Sequence, residues 1–175
     1  MVINPDPIKS LIDSHIGLLD NMYLLRKTID RLINNVSPHL VENLKRESLS
    51  FLKSMEQHIR CEEEALFPVL RSSLGSKSAP IISMSGEHAN LKEGMERLRT
   101  IITNLETENT EECRKAIHLA DEELDSLTDI FSRHIDKEEK CLFKLAREVL
   151  PEKDLVEIEE KMKEIEMEEG RGKFI

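Results

Sequence analysis

Apolar residues return at alternating steps of three and four along four long stretches of this chain, and one histidine interrupts each series. The first runs Ile8, Leu11, His15, Leu18, Met22, Leu25, Ile29 and Leu32, and the third Ile81, Met84, His88, Leu91, Met95, Leu98, Ile102 and Leu105. The second has Leu40, Leu44, Phe51, Met55, His58, Glu62 and Leu66, and the fourth Ile117, Ala120, Leu124, Leu127, Phe131, His134, Glu138, Cys141 and Leu145. Such spacing keeps one stripe on one face of a helix with 3.6 residues per turn. No period-two alternation competes with it. A chain of 175 residues, 34% charged and lacking Trp, is long enough to bury one core and has the makeup of an all-α protein.

The first helix is expected to start at Pro7, with Asp6 as its cap, and to run to about Val36. Asn34, Asn35, Ser37 and Pro38 mark a turn, and a second helix follows from about His39 to Phe67, ended or kinked by Pro68. Ser72 to Ser78 reads as a loop, Pro80 as the start of the third helix, and Asn104 to Thr110 as the turn before the fourth. Residues 1–150 thus form one bundle. Residues 151–175 form a short additional C-terminal helix opened by Pro151, followed by a Gly-Arg-Gly-Lys tail that should fray. The apolar edge of that helix, Leu155, Ile158, Met162 and Ile165, should dock either on the bundle or on a second subunit, making a homodimer.

Helices joined by tight turns run antiparallel, so residues equidistant from a turn lie at one height. The midpoint of His15 and His58 is Val36 to Ser37, that of His58 and His88 is Ser73, and that of His88 and His134 is Glu111. Each falls in or beside a turn signal. An up-down-up-down four-helix bundle would therefore gather all four histidines into one layer.

Two of these histidines belong to a repeated signature. His58 and Glu62, like His134 and Glu138, begin the pattern His-x-x-x-Glu-Glu-x-x-Leu-Phe, which ends at Leu66-Phe67 and again at Leu142-Phe143. Residues four apart share a helix face, so each pair is half a metal site. Four imidazoles and two carboxylates exceed the needs of one structural zinc. They suit two metals, each with two histidines and two shared carboxylates, joined by a bridging hydroxide or oxide. Mixed nitrogen and oxygen ligation with open positions suits non-haem iron, and manganese or zinc could occupy the same cage.

In motif and expected architecture, residues 8 to 148 resemble the hemerythrin-like, or HHE cation-binding, family. The family pattern of His, His-x-x-x-Glu, His, His-x-x-x-Glu is met by His15, His58, Glu62, His88, His134 and Glu138. The resemblance implies a di-iron centre in which His15 and His58 hold one iron, His88 and His134 the other, and Glu62 and Glu138 bridge. Oxygen-carrying members have a fifth histidine where this chain has Met84, and an aspartate five residues after the last histidine where this chain has Glu138 at four. Both differences bring the chain closer to bacterial iron-sulfur repair proteins and to hemerythrin-like sensors. The repair proteins usually carry a cysteine-bearing N-terminal segment, and no Cys precedes His15, so sensing leads.

The expected function is a di-iron protein that binds or senses O2, nitric oxide or peroxide. Iron storage or delivery, iron-sulfur cluster repair, or a redox enzyme reducing peroxide or nitric oxide are the alternatives. Ferritin-like Glu-x-x-His pairs and His-Glu-x-x-His are absent. A net charge of −10 argues against a nucleic-acid partner. No apolar run approaches a membrane span, no signal peptide is evident, and three cysteines without a Cys-x-x-Cys motif fit a reducing cytoplasm. Outside the six ligands, His39 and His118 read as surface residues. Glu63 and Glu139 read as solvated or as outer hydrogen-bond partners, and Glu87 at least as readily as a surface group. Cys141 lies in the stripe and Cys61 beside it, Tyr23 packs or flanks the pocket, and Met22, Met55, Met84 and Met95 fill the core.

Overall fold

The computed structural model describes residues 6–106 and 110–171, and among them every regular element is helical. In chain order these are α1 (Pro7–Asn34), α2 (Pro38–Arg60), a π-helical turn (Cys61–Leu66), α3 (Phe67–Leu74), a 3-10 turn (Gly75–Lys77), α4 (Ala79–Thr103), α5 (Thr110–Lys137), a second π-helical turn (Glu138–Leu142), α6 (Phe143–Val149) and α7 (Glu152–Arg171). The end of the tail beyond Arg171 lies outside the described residues.

Local chemistry accounts for the boundaries. Asp6 caps α1, its Oδ1 accepting the Lys9 N–H at 2.9 Å with Pro7 in the first position. Ser37 does the same for α2 through Leu40 N–H at 3.3 Å. Gly75, at φ 55°, ends α3 in a conformation only glycine adopts without strain, and its N–H returns to the Arg71 carbonyl. Leu150 is extended before Pro151, as the proline ring requires, and α7 then begins with Asp154 and Leu155 N–H groups on the Pro151 carbonyl.

The helix expected to end or kink at Pro68 instead continues to Leu74. The preceding π-turn, closed by Phe67 N–H on the Glu62 carbonyl, resets the hydrogen-bond ladder. Pro68 then falls in the first turn of α3, where a missing donor is tolerated. The second π-turn is closed identically, by Phe143 N–H on the Glu138 carbonyl.

The described residues group into two compact units. One lies within Ile16–Ser54 and Ala89–Arg133. It has the plain interior of an α-helical protein: Leu18, Met22, Leu25, Phe51, Leu91, Met95, Leu124 and Phe131 are all buried. Helices α4 and α5 approach closely there, since a Cβ on Gly94 would lie 2.7 Å from Leu127 Cδ2. Arg26 pairs with Asp121 and Asp125, and Arg97 with Glu123, on its surface.

The other unit lies within Met1–His15, Met55–His88 and His134–Ile175. Its core joins Ile8 and Leu11 to Leu66, Phe67, Leu142 and Phe143, and to Ile158, Met162 and Ile165 of α7. That helix spans 20 residues, longer than its apolar pattern suggested, and rests on the π-turn Cys61–Leu66. Its apolar edge is thus used within the chain. Arg60 reinforces the contact by bonding both Glu64 and Glu168.

The two cysteines exchange the places the sequence suggested: Cys141 is exposed and Cys61 buried. A π-turn holds one residue more than an α-turn, so beyond Glu138 the buried stripe steps to Leu142 and Ala146 instead of Cys141 and Leu145. Burial and the nearby Glu166 carboxylate push the Cys61 thiol up to about 12. No helix among the described residues is long and apolar enough to cross a membrane.

Candidate metal centre

All six ligand candidates belong to the unit that carries the π-turns, and all are buried: His15, His58, Glu62, His88, His134 and Glu138. They form two overlapping groups. His15 and His58 converge with Glu62 and Glu138, and His88 and His134 converge with the same two carboxylates, with the donor atoms of each group within 4.8 Å of one another. His15 Nε2 stands 3.2 Å and His134 Nε2 3.1 Å from Glu138, while His88 Nε2 stands 3.1 Å and His58 Nε2 3.6 Å from Glu62.

Hydrogen bonds on the outer side fix which nitrogen faces inward. His15 Nδ1 donates to Glu139 Oε1 and His88 Nδ1 to Glu63 Oε1, each at 3.0 Å, and His134 Nδ1 donates to Glu87 Oε2 at 3.3 Å. An ionised carboxylate only accepts, so those three rings carry their proton on Nδ1. His58 Nδ1 lies 2.8 Å from Ser14 Oγ, whose own proton goes to the Leu11 carbonyl at 2.6 Å. Ser14 therefore accepts as well. Every imidazole presents an Nε2 lone pair to the interior, and His88 and His134 bring theirs within 3.2 Å. Two lone pairs at that distance repel unless a cation or a proton lies between them.

The carboxylates tell the same story. The four oxygens of Glu62 and Glu138 are buried and accept no well-formed hydrogen bond. Leaving such groups unsatisfied costs several kcal/mol, and a bound cation removes that cost. The donor set thus fits a metal: neutral imidazoles and carboxylates, with orienting partners behind the rings.

A family model, the hemerythrin HHE cation-binding domain, matches residues 6–146. The chain belongs to that family. Among curated relatives, this hemerythrin-like domain is 28% identical over 94 residues to the iron-sulfur cluster repair protein YtfE of Yersinia pseudotuberculosis, and 27% identical over 94 residues to that of Yersinia pestis. Each match covers 53% of this chain and 42% of the relative, so the chain spans less than half the length of those proteins. The metal-binding character of the domain follows from the family and from the buried His and Glu cluster.

The repeat also organises the support around the hemerythrin-like site. Glu63 bonds His88 while Phe67 stacks on the same ring at 5.5 Å, and Glu139 bonds His15 while Phe143 stacks on it at 5.7 Å. Each Glu-Glu-x-x-Leu-Phe segment thus steadies the lone histidine of a different helix. Conversely, the residue before each lone histidine, Ser14 or Glu87, holds the histidine of a repeated motif. Glu87 is consequently no bystander. The sequence leaves Glu87 open between a surface role and a place beside the site, and gives Ser14 no role, although both adjoin a ligand. Tyr23 belongs to the other unit, 58% exposed beneath Lys27, and takes no part. Met84, at the position of the carriers' fifth histidine, is buried among Ile81 and its apolar neighbours.

Electrostatics divide the two carboxylates of the metal-free domain. Burial, then the charge of Glu138, raises Glu62 well above the usual carboxylate range. Burial would raise Glu138 too, but the His134 and His15 rings close against it outweigh that and hold the carboxyl low. His58 is pushed down to about 3, chiefly by burial and then by His15. For His134 burial acts downward, and the closeness and charge of Glu138 overcome it to give a net rise. Burial thus favours the neutral form of Glu62 in the metal-free domain, and a proton there competes with an entering cation.

Proposed function

We propose that this domain holds two iron ions, one between His15 and His58 and one between His88 and His134, with Glu62 and Glu138 shared, and that it binds or senses O2, nitric oxide or peroxide in the cytoplasm. The observation that carries the reading is the pair of four-donor groups with both carboxylates in common. In this reading residues 1–150 form the up-down-up-down bundle and residues 151–175 an appended helix. Bound iron would supply electrons and open coordination positions for a small oxidant. The chain's own part is to aim four Nε2 lone pairs inward, to hold them there through Ser14, Glu63, Glu87 and Glu139, and to keep bulk water out with Phe67 and Phe143. Manganese or zinc could enter the same donor set.

A second reading, iron delivery in iron-sulfur cluster repair, is supported by the relatives named for that activity, at 27–28% identity over about half the chain. The two readings differ in how firmly metal is held. Protein from iron-replete medium should contain close to two irons per chain, and the anaerobic ferrous sample should change its visible spectrum on exposure to O2 or nitric oxide. Iron that instead moves to an apo iron-sulfur acceptor without a gas response would favour repair. A chain that takes up fewer than two irons would defeat the di-iron assignment.

A further inference from the structure

The outer partners of the four rings occupy matched chain positions in the two halves of the centre, and at one of these positions the residue type differs. Ser14 precedes His15 as Glu87 precedes His88, and each reaches the outer nitrogen of the histidine that begins a repeated motif. One is a neutral hydroxyl, the other a carboxylate. The His88 and His134 rings therefore both lean on carboxylates, Glu63 and Glu87, which are 30% and 18% exposed. The His15 and His58 rings lean on Glu139, which is 42% exposed, and on the Ser14 hydroxyl.

This difference has a direct effect on ligand strength. A carboxylate accepting Nδ1–H draws that proton outward and leaves more electron density on Nε2, which makes the ring a better donor to a cation. A hydroxyl that has already given its proton to Leu11 polarises the ring less. Exposure adds to the contrast, because water screens the Glu139 charge more than that of Glu87. Lys137 Nζ, 2.5 Å from the other oxygen of Glu87, keeps the carboxylate in place behind His134.

We infer that the two metal positions are unequal, the His88–His134 position holding its cation more tightly and the His15–His58 position exchanging it readily, with Glu87 and Ser14 as the positioning residues that set the difference. This rests on the two-metal reading above. A domain built this way keeps one ion resident and offers the other, which suits both an asymmetric sensor and a donor of single ions.

The test loads the full chain anaerobically with cobalt(II), counts bound metal, then adds excess chelator and follows release by visible absorption. The wild type should bind two cobalt ions and release them in two phases of equal amplitude. Glu87→Gln should speed the slow phase about 10-fold or more, in line with the usual loss of affinity when such a partner is removed, and leave the fast phase alone. Ser14→Ala should act on the fast phase alone, and Glu87→Asp should largely restore the slow one. A merely structural role for Glu87 would shift both phases together and lower the thermal midpoint. Release of both ions in one phase, or an effect of Glu87→Gln on the fast phase or on neither, overturns the inference. Fewer than two cobalt ions before chelator is added defeats the two-metal reading instead.

Discussion

The two compact units are built on the same three-four periodicity, yet they solve different problems. In the unit of Ile16–Ser54 and Ala89–Arg133 the buried residues are apolar apart from Thr28 and Ser48, and its helices stay regular. In the other, the stripe carries four imidazoles and two carboxylates, and both motif helices widen into π-turns at or just before the carboxylate, Cys61–Leu66 and Glu138–Leu142. Regular α-geometry suffices where packing is the only demand. Where one helix must bring a histidine and a carboxylate four residues on to the same point, the backbone departs from that geometry, whereas His15 and His88 reach the point from regular helices.

The strongest way to break this comparison is to remove a ligand. His58→Ala or Glu62→Ala should lose most bound metal, whereas His118→Ala, on the exposed face of α5, should lose none; equal metal content in all three would sink the assignment. Acid and base act next, on the metal-free chain. His58, lowered to about 3, contributes stability above the ordinary histidine value that is lost as pH falls from about 6.5 toward 3. Its ring, followed by NMR, should remain neutral across that window. Glu62, raised, has the opposite sign: its contribution is present below the ordinary glutamate range and is lost as pH rises through its folded value. In urea unfolding the metal-free Glu62→Gln chain should therefore gain on the wild type as pH rises, and a constant gap between them would refute the buried charge.

Changes in the apolar unit should be smaller for the metal and visible in stability. Phe51→Ala, at a fully buried position, should cost about 3–5 kcal/mol in denaturant unfolding while the chain still takes up its metal. Gly94→Ala should cost about 1–3 kcal/mol by crowding Leu127. A loss of metal in either variant would show that the apolar unit does more than pack.

Much of this was legible in the sequence. The first and third stripes are buried at every position named, from Ile8 to Leu32 and from Ile81 to Leu105, because unbroken α-helices obey a fixed period. The six convergent residues were likewise readable, since i,i+4 pairs and turn midpoints are consequences of regular geometry. The failures begin where that regularity ends. Past Glu138 the π-turn shifts the register by one, so Cys141 turns outward and Leu142 inward. Alignment of the two motif copies held the correction: Leu142 occupies the place of Leu66. Ser14 and Glu87 were harder, because an outer hydrogen bond between different helices leaves no periodic trace in either one.

The crossed support around the rings also bears on how the protein is made. His15 meets Glu139 across 124 positions and His134 meets Glu87 across 47, so neither half of the centre is complete until the segment around Glu138 has been made. Nascent helices emerging earlier have loose imidazoles and no assembled cage. A cation that needs the whole donor set can then enter only after that last segment has folded into place beside the other three helices' imidazoles.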